Sequence, residues 1–494
     1  MSTSKTGKNL LDKYRIAVNG INIDVEIIAY EEKPVPNYLI NVSNITATTK
    51  IILEKIRQEF ISGLDFQELE KSKSDDFENL KSKFRTTLLK LLNKYFPDSD
   101  DRTKKTLLNY LLEENLGLGK IDLLLKDSHI EELVVNNHKE PVWVYHKNHG
   151  WLVTNIQIIT ESRIRHYSTV IGRDVNKEIT TLSPLMDAHL PSGDRVNATL
   201  SPISTKGNTI TIRKFAEDPW TITKFIKART ISMSAAALLW LGIQNELSVL
   251  VAGGTGSGKT SMLNVVSNFF PPNQRIVSIE DTRELKLAEN LHWVPLSTRL
   301  PNPEGKGGVT MLDLLVNSLR MRPDRILVGE IRRAEEAQVL MEAMHTGHSV
   351  YGTIHANNAD ETVMRLTNPP INVPKRMLSS LSMVLVQNRN RRTGNRRTLQ
   401  IAEITKEGDP NVLMQYNAQE DILKKKNASQ AALSTISLYT GLTMENLEKD
   451  LKEKHKILSW LVKNDIHEID RIGKIMAKYY MGRLDLKEES DGSS

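Results

Sequence analysis

The stretch VLVAGGTGSGKTSMLN covers residues 249–264. Within it, Gly253, Gly254, Thr255, Gly256, Ser257, Gly258, Lys259, Thr260 and Ser261 satisfy G-x-x-x-x-G-K-[ST], with an apolar run before and a helical pattern after. Glycines there let backbone N–H groups turn inward on an anion, and the helix N-terminus adds a favourable dipole. Lys259 is expected to reach the β- and γ-phosphates of a nucleotide, and Thr260 to ligate Mg²⁺. The bland alternative is a glycine-rich turn with a chance Lys-Thr pair. Four glycines, with both flanking elements in place, leave that alternative little room.

Holding a phosphate is not hydrolysing it. Hydrolysis needs a carboxylate that orients or deprotonates water, and cationic help in the transition state. Two apolar runs end in acids: IVSIED in Glu280 and Asp281, and ILVGE in Glu330, where Gly329 separates the acid from the run. That spacing leaves open whether Glu330 meets magnesium directly or through water. Three histidines follow in AMHTGHSVYGTIHANNA. His345 and His348 are three apart, yet no fourth ligand accompanies them, so zinc is disfavoured. His348 and His355 flank a strand and are candidates to sense the γ-phosphate or link it to a neighbour. Arg195, Arg213, Arg320, Arg322, Arg332, Arg333 and Arg365 are the nearby arginines. One supplied across a subunit boundary is worth about 10³ to 10⁵ in rate, and the sequence alone does not pick it. The run QNRNRRTGNRRT (387–398) reads as a basic hairpin. It lacks the interleaved aromatics of a single-strand nucleic-acid site, and a solvated or intersubunit loop is expected.

The elements that must position these groups come from the patterning. Residues 233–405 alternate strand and helix in SVLVAGG, RIVSIED, DRILVGE and SVYGTIH, the rhythm of a mostly parallel sheet covered by helices. VWVYH, RVNATLS and TITIRKF read as strands of an α/β domain over 116–215, and 216–232 as a linker or hinge. Residues 1–115 begin strand-like and become helical, with Phe77, Leu80, Phe84, Leu88, Leu91 and Tyr95 on one face and the charged LEKSKSDD (69–76) as a connection. This is expected to be a packing or docking region. The tail, 406–494, reads as helical, ending in a disordered KEESDGSS.

The bulk numbers agree. A chain of 494 residues divides into several domains. With 66 Lys plus Arg against 60 Asp plus Glu, its net charge of +6 argues neither for nor against an anionic partner. No cysteine is present, which removes disulfides, thiolate chemistry and Cys-ligated zinc. No signal-peptide segment and no run near 18 apolar residues is visible, so a cytoplasmic protein is expected.

The order of the motifs carries a resemblance. Walker A (253–260), SIEDTREL (278–285), LRMRPDRILVGEIR (319–332) and TGHSVYGTIHANNA (346–359) resemble, in sequence, the Walker A, Asp box, Walker B and His box of the type II/IV secretion system ATPases. GLGKIDLLLKDSHIEELVVNN (117–137) and residues 190–215 look like that family's N-terminal α/β domain; RLTNPPINVPKRMLSSLSMVLVQ (365–387) and the helical tail are similar to its archaeal branch. The resemblance implies a RecA-like P-loop NTPase core with an N-terminal α/β domain, a helical N-terminal extension and a helical C-terminal tail. It implies ATP and Mg²⁺, with Glu280 as the glutamate that polarises water, Glu330 as the magnesium-site acid and His348 and His355 as the His-box pair. Arg195 and Arg213 are the finger-like candidates. It implies a homo-hexamer at the cytoplasmic face of the membrane, acting through a polytopic platform protein on pilin- or archaellin-like subunits, with no nucleic acid. Two rivals stand beside it: a RecA-like motor on nucleic acid, and a nucleotide-switch scaffold that seldom turns over. The sequence does not separate pilus assembly, retraction, secretion and archaellum rotation.

Overall fold

Alternating burial in INIDVEIIAY shows how the first sheet is built. Ile21, Ile23, Val25 and Ile27 are buried and the residues between them are not, the period of a half-covered strand. The computed structural model describes residues 7–18, 20–42, 45–62, 77–115, 118–175, 177–190, 192–215, 218–299, 301, 305–486 and 489. Residues 69–76, most of KEESDGSS, and the side chains of Phe77 and Leu80 lie outside the described residues. The chain divides into two compact units, Met1–Glu217 and Asp218–Ser494.

The first unit holds strands β1 (Lys8–Val18), β2 (Ile21–Tyr30), β3 (Asn37–Val42), β4 (Ile130–Val135), β5 (Pro141–His146), β6 (Gly150–Gln157), β7 (Leu185–His189), β8 (Arg195–Thr199) and β9 (Thr209–Arg213). They form one sheet in the order β1-β2-β3-β6-β5-β4-β9-β8-β7. Its helices are α1 (Ala47–Ser62), α2 (Phe77–Tyr95), α3 (Asp101–Asn115), α4 (Lys120–Leu125) and α5 (Glu161–Asp174). Leu88 and Leu92 of α2 and Leu107, Leu108 and Leu111 of α3 are buried in the core shared with the strands. The first strands are also tied in by polar contacts. Tyr14 and Tyr38 each donate a hydrogen bond of 2.6 Å to Oδ2 of the buried Asp127, ahead of β4. Those hydroxyls hold its carboxyl below the usual range against the opposing effect of burial.

The second unit is built on β10 (Val249–Gly253), β11 (Arg275–Glu280), β12 (His292–Ser297), β13 (Arg325–Val328), β14 (Ser349–Ile354), β15 (Met383–Arg389), β16 (Arg396–Ile404), β17 (Pro410–Asn417) and β18 (Ile422–Lys425). The sheet order is β12-β11-β13-β14-β10-β15-β16-β17-β18. Pairing is parallel from β12 to β15 and antiparallel from there to β18, so the sheet runs on past residue 405. Its helices are α6 (Ile222–Lys227), α7 (Met233–Gln244), α8 (Lys259–Ser267), α9 (Met311–Ser318), α10 (Ala334–His345), α11 (Ala359–Thr367), α12 (Ala432–Thr440), α13 (Met444–Lys463) and α14 (Ile469–Tyr480).

Continuous apolar strands are the mark of a sheet covered on both faces. On β10, Val249 and Val251 join the core under α7, α8, α13 and α14, while Leu250 and Ala252 join the core under α9 and α10. The same alternation places Leu327 on one side and Ile326 and Val328 on the other. The helices of the expected tail share the core on one face of the P-loop strand. Leu447, Leu458, Leu461, Ile472 and Met476 are all buried in it.

Candidate active site

Strand order assembles the site. At the C-terminal edge of the second sheet the ends of β11, β13, β14, β10 and β15 follow one another, with neighbours about 4.8 Å apart. In turn they deliver Glu280, Glu330, His355, the glycine-rich loop and the segment Gln387–Arg389. Ligands of open α/β sheets bind at this edge. The strand of Glu330 is not adjacent to the P-loop strand. β14 lies between them, and this is why His355, one residue past its end, stands between Lys259 and Glu330.

The cradle depends on missing side chains. A Cβ on Gly253 would lie 2.6 Å from the Gln387 carbonyl oxygen and 2.4 Å from Ser257 Oγ. Gly258 (φ 92°) takes the left-handed conformation at the N-cap of α8, where other residues are strained. Among the described residues, Ser257 Oγ is buried with no hydrogen-bond partner, a polar atom turned into the cradle. Lys259 Nζ donates to the Gly254 carbonyl at 3.0 Å, and Thr260 and Ser261 lie half-buried on the first turn of α8. These features fit a bound phosphate. Gly253→Ala is expected to reduce nucleotide affinity at least tenfold, because a backbone carbonyl cannot swing aside as a side chain can. Nucleotide titration of the variant checks this, and an unchanged dissociation constant would refute it.

The acids face the other flank. His355 Nε2 lies 3.0 Å from Glu330 Oε1 and 3.5 Å from Lys259 Nζ, one nitrogen between an anion and a cation. Burial, then Lys259, hold its pKa below the ordinary histidine value; Glu330 pulls the other way. Arg332, of the seven arginines singled out, donates to Glu330 Oε2 and to Asp281 Oδ2, both at 2.7 Å, and so joins the acids of two strands. Glu280 is only 2% exposed. Its Oε1 accepts from the backbone N–H groups of Glu284 (2.9 Å) and Leu285 (3.1 Å), while its buried Oε2 has no partner among the described residues. Burial pushes its pKa up to about 7, against the pull of those two N–H donors.

Not every candidate comes together. His348 precedes β14 and His355 follows it, so they stand about 20 Å apart along the strand. His348 packs its ring against Thr346 and the Ala343 carbonyl, away from this chain's cradle. Arg195 and Arg213 lie in the first unit, opposite one another on β8 and β9, with Arg195 paired to Asp187. No group of three or more His, Asp or Glu able to hold a metal is present among the described residues. Magnesium that arrives with a nucleotide needs only one or two protein ligands, fewer than such a group.

A family model described as type II/IV secretion system protein matches residues 127–455. The chain belongs to the type II/IV secretion system protein family. Among curated proteins, uncharacterized protein MJ0781 of Methanocaldococcus jannaschii is 27% identical, with 97% of this chain and 90% of that protein covered. MJ0900 of the same organism is 34% identical over 75% of this chain and 69% of its own. Among solved structures, the Legionella pneumophila ATPase DotB is 18% identical, covering 76% of this chain and 95% of DotB, with a TM-score of 0.41. The P-loop unit of this secretion-family chain is a largely parallel α/β sheet with a core on each face, as the motif order implied.

One element makes a contact that the expectation did not include. The basic run 387–398 is a hairpin, β15 into β16. Its turn, residues 390–395, is exposed as a solvated loop would be, while Arg389 and Arg396 at its ends lie against the glycine-rich loop. Arg396 Nε donates to the Gly256 carbonyl at 3.1 Å, and a Cβ on Gly256 would lie 3.3 Å from Arg389 Nη1. No sequence spacing signals this. The contact follows from β15 pairing in parallel with β10, Gly253 opposite Gln387.

Proposed function

We propose that the chain is an ATPase motor that hydrolyses ATP with Mg²⁺. It works as a homo-hexamer at the cytoplasmic face of a membrane and drives assembly or movement of pilus-like, archaellum-like or secretion filaments through a polytopic platform protein. The observation that carries this reading is the row of strand ends. It sets a phosphate cradle, a cation and two acids along one edge of one sheet, an arrangement that supports ATP hydrolysis. No described helix is long and apolar enough to cross a membrane, in keeping with a partner that supplies the span.

Lys259 and the N-terminus of α8 hold the β- and γ-phosphates. Thr260 and Glu330 would hold Mg²⁺, which would supply charge neutralisation there. Glu280 orients the attacking water and takes its proton on Oε2. The water oxygen bonds to the γ-phosphorus as the bond to the β–γ bridging oxygen breaks, giving ADP and phosphate. Arg332 and His355 fix the Glu330 carboxylate. His348, Arg195 and Arg213 are assigned to a neighbouring subunit's site or to the interface.

The test is phosphate release over a protein concentration series, with oligomer mass read by light scattering. Activity is expected to rise more steeply than protein as a six-subunit species appears, and to fall at least a hundredfold in Lys259→Ala. Activity strictly proportional to protein from a monomer would overturn the ring motor. Strong, salt-dependent stimulation by single-stranded DNA would favour the nucleic-acid motor instead. Tight binding without turnover would favour the switch.

A further inference from the structure

The site as derived uses only one flank of the phosphate cradle. The acids and His355 lie on the β14 side of β10; on the β15 side the sequence places arginines. Asn388, Arg389 and Arg391 line a cavity of 370 Å³ together with Gly254, Thr255 and Ser257 of the glycine-rich loop and Asn357 beyond β14. Arg389 is half-buried with Nη1 beside Gly256, Arg391 is exposed on the turn, and Arg396 grips the Gly256 carbonyl. Side chains alternate along a strand, and β16 uses this. Arg397 turns the other way and is neutralised by Asp421 at 2.6 and 2.9 Å. Among the described residues, no carboxylate pairs with Arg391 or Arg396. Arginines that converge on a cavity lined by inward-turned backbone are matched to an anion of several charges.

We infer that the β15–β16 hairpin is a second cationic wall of the nucleotide site. Arg389 and Arg391 bind the phosphate chain of a nucleoside di- or triphosphate from the side opposite the acids, and Arg396 positions the loop between them. This rests on the nucleotide reading above. It adds that the grip is supplied within one chain, by residues in no motif of the family pattern. Contacts to phosphates far from the breaking bond hold ground state and transition state alike, so they act on affinity and not on the chemical step.

The experiment titrates ATP and ADP by calorimetry, and follows steady-state hydrolysis, for the full chain and for Arg389→Ala, Arg391→Ala and Arg391→Lys. Lys259→Ala serves as reference and Arg392→Ala as control, with thermal melts alongside. Each alanine variant at 389 or 391 is expected to weaken both nucleotides about tenfold and to raise KM equally, with kcat within threefold; lysine at 391 regains part of the loss. If the wild type binds ATP and Lys259→Ala does not, but both alanine variants bind like the wild type, the hairpin proposal is overturned and the nucleotide reading stands. A fall in kcat at unchanged affinity also overturns it, since that assigns the arginines to the transition state. A wild type that binds neither nucleotide brings down both.

Discussion

Glu280→Gln is expected to slow ATP hydrolysis by about 10² to 10⁴, the usual worth of a positioned general base, while ATP affinity stays within a few-fold. The amide keeps the shape. Its oxygen still accepts the N–H groups of Glu284 and Leu285, which hold Oε1 in the wild type. What is lost is the unpartnered, buried Oε2 that takes the proton. The carboxyl titrates near pH 7 because burial raises it, so the wild-type rate should fall as pH drops through that value. The residual rate of the variant should not show this limb. A second readout follows from linkage. A carboxyl whose folded pKa is raised contributes its full share of stability below the ordinary value of 4.5 and loses it as pH rises through about 7. Above pH 7 the uncharged variant should therefore melt higher than the wild type, and below pH 4.5 the two should agree. An acid limb that survives in Glu280→Gln would remove Glu280 from the proton-transfer step.

Asp450→Ala is expected to cost the P-loop unit about 3 to 5 kcal/mol, because it leaves a cation buried without its partner. For a unit of this size that is a fall in Tm on the order of 10 °C. Lys454 on α13 has no exposed surface. Its Nζ is held by Asp450, one turn earlier, and by Tyr479 Oη of α14 at 2.9 Å. It also stands 5.3 Å from the centre of the Trp240 ring of α7. Burial pulls its pKa down and Asp450 pulls it back. Lys454→Met removes the charge and keeps the packing, so it should cost only about 1 kcal/mol. The order matters more than the size: Asp450→Ala must be the worse of the two by differential scanning calorimetry. Equal melting temperatures would mean that this pair does not hold α13. The contact bears on the site through the scaffold, since α7 and α8 share one core and Tyr480 of α14 donates to the Phe269 carbonyl just past α8.

The phosphate cradle was legible in the sequence because it is local. Backbone geometry from Gly253 to Gly258 and the start of α8 depend on residue type within a few positions, and glycine there answers to sterics that any chain obeys. The strand-end acids were legible for a similar reason: an apolar run of strand length followed by a carboxylate fixes which end of which strand carries the charge. Helix faces in the tail could be read from spacing, Leu447 to Leu461 and Ile469 to Tyr479, since a period of three and four needs only one apolar neighbour to satisfy it. Strand order was not legible. βαβ units predict parallel neighbours but not which neighbour, and here β14 inserts between β10 and β13 while β15 closes the other side. That choice is made by which apolar faces fit together across the sheet, a sum over contacts far apart in the chain. It sets His355 between Lys259 and Glu330 and leaves His348 at the far end of the same strand. It also lays Arg389 and Arg396 on the glycine loop. The sequence by itself determined that a phosphate is gripped and which acids end the strands; only the packed sheet decided which side chains stand beside it, because neighbours in a sheet are chosen by the whole core and not by the spacing of residues along the chain.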